Sequence, residues 1–194
     1  MKMELSSADG IIVVDIQRDF CPGGALPVPE GDDIVPLVNE LLHKAEKSGC
    51  FIVYTRDWHP QNHMSFKTFG GTWPEHCVQW TAGAEFHPSL YLSDKGVIIS
   101  KGTNPEFEAY SGFQGTDLDA TLKANGVHRL FIVGLATDYC VKETALDSLQ
   151  RGYDTYVVKD AVRGVNVHPN DSENALNEME QNGAKIIFSK ELLY

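Results

Sequence analysis

Two rhythms of apolar and polar positions alternate along this chain. Short unbroken apolar runs recur, and between them apolar residues fall three and four apart. The run Ile11-Ile12-Val13-Val14, closed by Asp15, is continuous and β-branched, which is the pattern of a strand buried on both faces. Similar runs lie at residues 51–55, 97–100, 129–133, 154–158 and 184–188. Ile34, Val35, Val38, Leu41, Leu42 and Ala45 trace one face of a helix predicted over residues 31–48, with Gly49 as its stop. Further helices are predicted over 117–125, 138–151 and 170–182, each followed by a glycine. Strands alternating with helices imply right-handed crossovers. The expected fold is therefore α/β: a three-layer, Rossmann-like sandwich whose mostly parallel six-stranded sheet carries helices on both faces. With no repeat, linker or low-complexity tract, residues 1–194 are expected to form a single domain.

One segment breaks both rhythms. Residues 57–95 are irregular and rich in Pro, Gly, His and aromatic residues. Connections of that length are uncommon and usually functional or disordered; the His and Trp clusters point to an ordered, functional one. Charge then narrows the partners. A net charge of -11 disfavours nucleic acid and anionic membranes, both of which reward clustered Lys and Arg. No apolar run approaches the roughly 18 residues of a membrane span, and residues 1–10 lack the features of a signal peptide, so a cytoplasmic protein is expected. The four cysteines, Cys21, Cys50, Cys77 and Cys140, include no CxxC pair. A disulfide framework is not expected, and each is packing, a metal ligand or a nucleophile.

In open parallel sheets, ligands bind beyond the carboxyl ends of the strands. Here four strand ends deliver Asp15, the Asp57-Trp58-His59 segment, Lys101 and Cys140. Cys140 is expected in the first turn of a helix capped by Thr137 or Asp138, where unpaired N–H groups favour a thiolate and can hold an oxyanion. Asp15, at the end of an apolar strand, reads as a general base or a structural ion pair. Lys101 reads as its partner or as a solvated strand-end lysine. Asp57 and His59 project to one side of an extended backbone, and with His76 they could hold Zn, Mn or Fe(II). His63 is a possible fourth ligand or a supporting residue behind the ligands, and Cys77 reads as packing. Phe20, Trp73 and Tyr110 could sandwich a flat heteroaromatic ring. Asp160 is expected to be structural, and His87 and His168 to be loop residues.

These residues carry a resemblance. Val14-Asp15-Ile-Gln-Arg-Asp-Phe20-Cys-Pro-Gly-Gly24, Lys101-Gly-Thr103 and Gly134-Leu-Ala-Thr-Asp-Tyr-Cys140-Val141 are similar to motifs of the isochorismatase-like cysteine hydrolase superfamily. Thr55-Arg-Asp57-Trp-His59-Pro60, Trp73-Pro-Glu-His76-Cys77-Val78 and Tyr110-Ser-Gly-Phe113 resemble its metal-binding nicotinamidase (pyrazinamidase) branch. The resemblance implies an Asp15, Lys101 and Cys140 triad. It implies one divalent metal ion, zinc first and Mn or Fe as alternatives, on Asp57, His59 and His76. It also implies a cis peptide between Leu135 and Ala136, with the Ala136 and Cys140 N–H groups as the oxyanion hole. The implied activity is hydrolysis of nicotinamide to nicotinic acid and ammonia in NAD salvage, with pyrazinamide as a second substrate, by a homo-oligomer. Competing expectations keep the fold but take an N-carbamoyl compound or isochorismate as substrate, or make the chain a binding protein without catalysis.

Overall fold

The computed structural model describes residues 2–194. Each apolar run becomes a strand and each periodic stretch a helix. In chain order they are β1 (Asp9–Val14), α1 (Val35–Lys47), β2 (Phe51–Asp57), β3 (Val97–Lys101), α2 (Leu118–Ala124), β4 (Arg129–Leu135), α3 (Lys142–Gln150), β5 (Asp154–Arg163), α4 (Asp171–Gln181), β6 (Lys185–Ile187) and α5 (Lys190–Leu193). The six strands form one sheet in the order β3-β2-β1-β4-β5-β6, with every pairing parallel. The order reverses between β1 and β4, so the crevice beyond their carboxyl ends is the sheet's switch point.

Alternate residues of the buried strands feed two cores. Ile11, Val13, Tyr54, Phe131 and Val133 pack with Val38, Leu41 and Leu42 of α1 and with Leu192 of α5. Ile12, Val14, Val53 and Ile132 pack on the other face with Leu122 of α2, Ala145 of α3 and Met179 of α4. That is the expected three-layer arrangement. At Gly134 the backbones of β1 and β4 come so close that a Cβ would lie 2.2 Å from the Val14 carbonyl oxygen, and φ there is +115°. Only glycine fits that contact.

The elements differ from the sequence expectation in several places. α1 begins at Val35, not at residue 31, because the chain turns through residues 30–34 and Pro36 occupies the first helical turn. β5 runs on to Arg163 with its register shifted against β4, which carries its end toward the switch point. The short α5 had no sequence signal of its own. It is held by Asp160, whose carboxylate accepts the Ser189 N–H at 2.8 Å and the Ser189 hydroxyl at 2.6 Å.

Residues 58–95 contain no α-helix or β-strand, only two single-turn 3₁₀ helices and isolated bridges such as His59 with Val78. They are tied to the sheet by Gln17, which is fully buried. Its amide oxygen accepts the Asp57 N–H at 2.8 Å, and its amide nitrogen donates to Asp57 O at 2.8 Å and Ala84 O at 2.9 Å.

At the amino ends of β1 and β4, Asp9 accepts from Arg129 Nε at 2.6 Å and Nη2 at 2.8 Å, and from the Ser6 N–H at 2.6 Å. Burial pushes the Asp9 carboxyl up, but the Arg129 and Ser6 donors outweigh it and leave it below the usual range. A depressed carboxyl stabilises the fold above the unfolded value of about 4 and loses that contribution as pH falls through the folded value. The urea midpoint of Asp9→Asn should therefore lie well below that of the wild type at about pH 7, with the gap narrowing toward about pH 3. A gap independent of pH would contradict this assignment.

Candidate active site and metal centre

Every strand-end residue singled out above arrives at the switch point. Asp15 leaves β1 with φ +48° and is fully buried, and Lys101 closes β3. The Lys101 ammonium lies 2.7 Å from Asp15 Oδ2, 2.5 Å from Asp57 Oδ1 and 3.3 Å from Cys140 Sγ. The other Asp15 oxygen accepts from the Thr55 hydroxyl at 2.8 Å. One buried cation thus joins two carboxylates and a thiol. Burial lowers the Lys101 ammonium, but Asp15 and Asp57 outweigh it and hold it well above its usual value. Burial raises Asp57, while Lys101 and His59 bring it well below the carboxylate range. For Asp15, burial outweighs Lys101, and the carboxyl is raised.

Cys140 departs from expectation in two ways. It sits in a π-helical turn, Thr137–Val141, that precedes α3, so it is not in the first turn of an α-helix. Neither Thr137 nor Asp138 caps that turn; the Asp138 carboxylate instead accepts the Val165 and Asn166 N–H groups at 2.9 and 2.8 Å. Burial pushes the Cys140 thiol well up, with Lys101 opposing and Asp15 and Asp57 adding to the rise. That environment disfavours the thiolate that a first helical turn was expected to favour. The Leu135–Ala136 peptide is cis, and Ala136 borders the cavity beside Cys140.

Next to this set lie the expected metal ligands. His59 Nδ1 donates to the Gly102 carbonyl at 2.8 Å and His76 Nδ1 to the Pro74 carbonyl at 2.7 Å. Gly102, with φ +63°, allows that approach, because a Cβ there would lie 2.5 Å from the His59 ring. With both Nδ1 atoms protonated, both Nε2 lone pairs face Asp57 Oδ2, at 3.3 Å from His59 and 3.8 Å from His76. His59 Nε2 is buried without a hydrogen-bond partner. Three acceptors converging with no proton between them suit a divalent cation, and carbonyl-anchored imidazoles are the usual support for such a site. The residues fit the group.

His63 stacks on His59, ring centroids 4.1 Å apart. Its Nε2 donates to Phe107 O at 3.1 Å, and its Nδ1 accepts from the Ser65 hydroxyl at 2.7 Å. Burial and the neighbouring His59 push it down to about 4. With both nitrogens engaged, it braces the His59 ring. Cys77 is fully buried with its N–H on Asp19 at 2.8 Å, and all four cysteines are free.

A cavity opens over the thiol, bordered by Asp15, Phe20, Trp73, Tyr110 and Tyr139. Trp73 Nε1 donates to the Tyr110 hydroxyl at 3.0 Å, and Tyr139 meets Trp73 edge-on at 5.2 Å. Sequence reasoning missed Tyr139, although it adjoins Cys140. It also missed Thr55, Gln17 and Glu108, a half-buried acid on the cavity wall. Burial and the nearby Asp57 raise the Glu108 carboxyl.

A thiol, an acid and an amine thus meet where the parallel sheet reverses its order. The chain belongs to the isochorismatase family, whose Isochorismatase domain matches residues 9–191. It is 42% identical over 197 residues to the nicotinamidase of Escherichia coli K12, covering 91% of this chain and 92% of that one. The crystal structure of Pyrococcus horikoshii pyrazinamidase in complex with zinc is 56% identical with a TM-score of 0.90, covering 93% of this chain and 99% of the other. A protein from L. infantum in complex with nicotinate is 33% identical, again with a TM-score of 0.90, covering 99% and 98%.

Proposed function

We propose that this chain hydrolyses nicotinamide to nicotinic acid and ammonia, and pyrazinamide in the same way, through a thioester on Cys140. The observation that carries the reading is the position of the Lys101 ammonium, within 3.3 Å of the thiol and 2.7 Å of Asp15, under a cavity walled by aromatic rings. The zinc complex and the nicotinate complex of the similar proteins support the metal and the ligand class. We assign the reaction to NAD salvage in the cytoplasm.

The flat ring enters between Phe20 and Trp73, which exclude water from the carboxamide. Asp15 takes the Cys140 proton as sulfur attacks the carboxamide carbon. Lys101 keeps Asp15 in place and offsets the negative charge that forms on sulfur. The Ala136 and Cys140 N–H groups take the oxyanion. The C–N bond breaks as Asp15 returns the proton to nitrogen, ammonia leaves, and the acyl group remains on sulfur. Asp15 then accepts a proton from water as that water attacks the thioester, and the thiol is restored as nicotinate departs. A zinc ion held by Asp57, His59 and His76 would supply a Lewis acid beside the thiol for a ring-nitrogen lone pair.

Chelator treatment should abolish ammonia release from nicotinamide, and added Zn²⁺, Mn²⁺ or Fe²⁺ should restore it, with metal analysis of the purified protein identifying the resident ion. An N-carbamoyl amide serves as the comparison substrate. Metal-loaded protein that released ammonia from that compound and none from nicotinamide would overturn the proposal.

A further inference from the structure

We infer that Asp138 is a positioning residue that fixes one wall of the substrate cavity, and so limits which ring substituents enter beside Cys140. The inference rests on the amidase reading above and adds a determinant of specificity to it. The turn Thr137–Val141, which carries the nucleophile, touches two walls of the cavity. On one side the Tyr139 ring meets Trp73 at 5.2 Å and Tyr110 at 5.7 Å. On the other, Asp138 reaches the segment that follows β5. One of its carboxylate oxygens accepts the Val165 N–H at 2.9 Å, and the other accepts the Asn166 N–H at 2.8 Å. Val165 borders the cavity together with the apolar Leu26, Val28 and Leu135.

Residues 164–170 contain no helix or strand, so side chains must set their path. Two contacts seat them on α4. Asn166 Oδ1 accepts the Ser172 N–H at 2.8 Å. Gly164 packs so closely that a Cβ there would lie 1.7 Å from Ser172 Oγ and 3.1 Å from Asp138 Oδ1. Asn166 takes φ +52°, a left-handed conformation in which asparagine is enriched. Asp138 then joins this segment to the turn that carries the sulfur. A carboxylate that accepts two neighbouring backbone N–H groups makes stronger bonds than a neutral acceptor would. The spacing between Val165 and Cys140 is thereby set by a side chain two residues from the nucleophile.

The test compares Asp138→Ala, Val165→Ala and the double variant, as zinc-loaded full-length proteins, on nicotinamide and on nicotinamides methylated at each free ring carbon in turn. One methyl group against an apolar wall commands about 10- to 200-fold in kcat/KM. Val165→Ala should admit an isomer that the wild type rejects, raising its kcat/KM relative to nicotinamide by about 10-fold or more. Asp138→Ala should admit the same isomer, and the double variant should gain little beyond either single one. Asp138→Asn, which keeps one oxygen acceptor, should fall between the wild type and Asp138→Ala. Amide hydrogen exchange followed by NMR should show the Val165 and Asn166 protons of Asp138→Ala exchanging about 10-fold faster or more, with β1 and β4 at wild-type rates. Wild-type exchange at 165 and 166 would overturn the inference. So would a general loss of activity in Asp138→Ala with the isomer preference unchanged, which marks a merely structural role. Exchange needs no substrate: a wild type inert toward nicotinamide would count against the amidase reading, and exchange would still decide whether Asp138 holds the wall.

Discussion

Cys140→Ala should release ammonia from nicotinamide at a rate lower by about 10⁴- to 10⁶-fold, the usual cost of deleting a nucleophile. The fold should survive, since the change removes one sulfur from a turn held by its own backbone: the Tyr139 and Val141 N–H groups both donate to Ala136 O, at 3.1 and 3.0 Å. Zinc binding should also survive, because the convergent Asp57, His59 and His76 atoms do not include Sγ. Calorimetric titration of the variant with nicotinamide would then show binding without turnover. Cys140→Ser, which keeps the size and a hydrogen-bonding group but is a far poorer nucleophile, should be nearly as inactive. A fully active alanine variant would remove the thioester from the account.

Lys101→Met should cost stability as well as activity. The side chain is unbranched and only one atom shorter, but it leaves Asp15 and Asp57 buried with no ammonium between them. Breaking a buried pair by deleting one partner costs about 3–5 kcal/mol, which for a chain of this size lowers the thermal midpoint by roughly 6–20 °C. The deficit should be larger in metal-free protein, where only the His59 and His76 imidazoles remain beside Asp57, and smaller after zinc loading. Adding Asp57→Asn should return part of the metal-free stability. Scanning calorimetry of the single and double variants checks this, and an unchanged midpoint in Lys101→Met would show that the ammonium does not hold the two carboxylates.

The sheet was readable in the sequence because a parallel strand buried on both faces leaves an unbroken apolar run, as Ile11–Val14 does. The meeting of Asp15, Asp57, Lys101 and Cys140 followed from placing each at a strand end. What sequence could not convey was backbone geometry without side-chain periodicity. The π-helical turn around Cys140 looks like the start of α3 when only residue spacing is considered, so Thr137 or Asp138 reads as its cap, whereas neither caps it and Asp138 serves the 165–166 loop. His63 was open between a fourth ligand and a supporting residue; spacing alone does not convey that its nitrogens meet Ser65 and Phe107 O while its ring stacks on His59.

Gln17 has a consequence for how this site can evolve. Its side chain behaves as a peptide unit borrowed from outside the strand, offering one acceptor and one donor where β2 leaves the sheet and the irregular segment begins. Because the same amide also grips Ala84 O, the position of Asp57 does not depend on regular structure in the residues that follow it. Changes in the length or composition of those residues would then reshape the cavity while the Asp57 carboxylate stays in register. An asparagine at position 17, one methylene shorter, would give up that freedom along with the contacts.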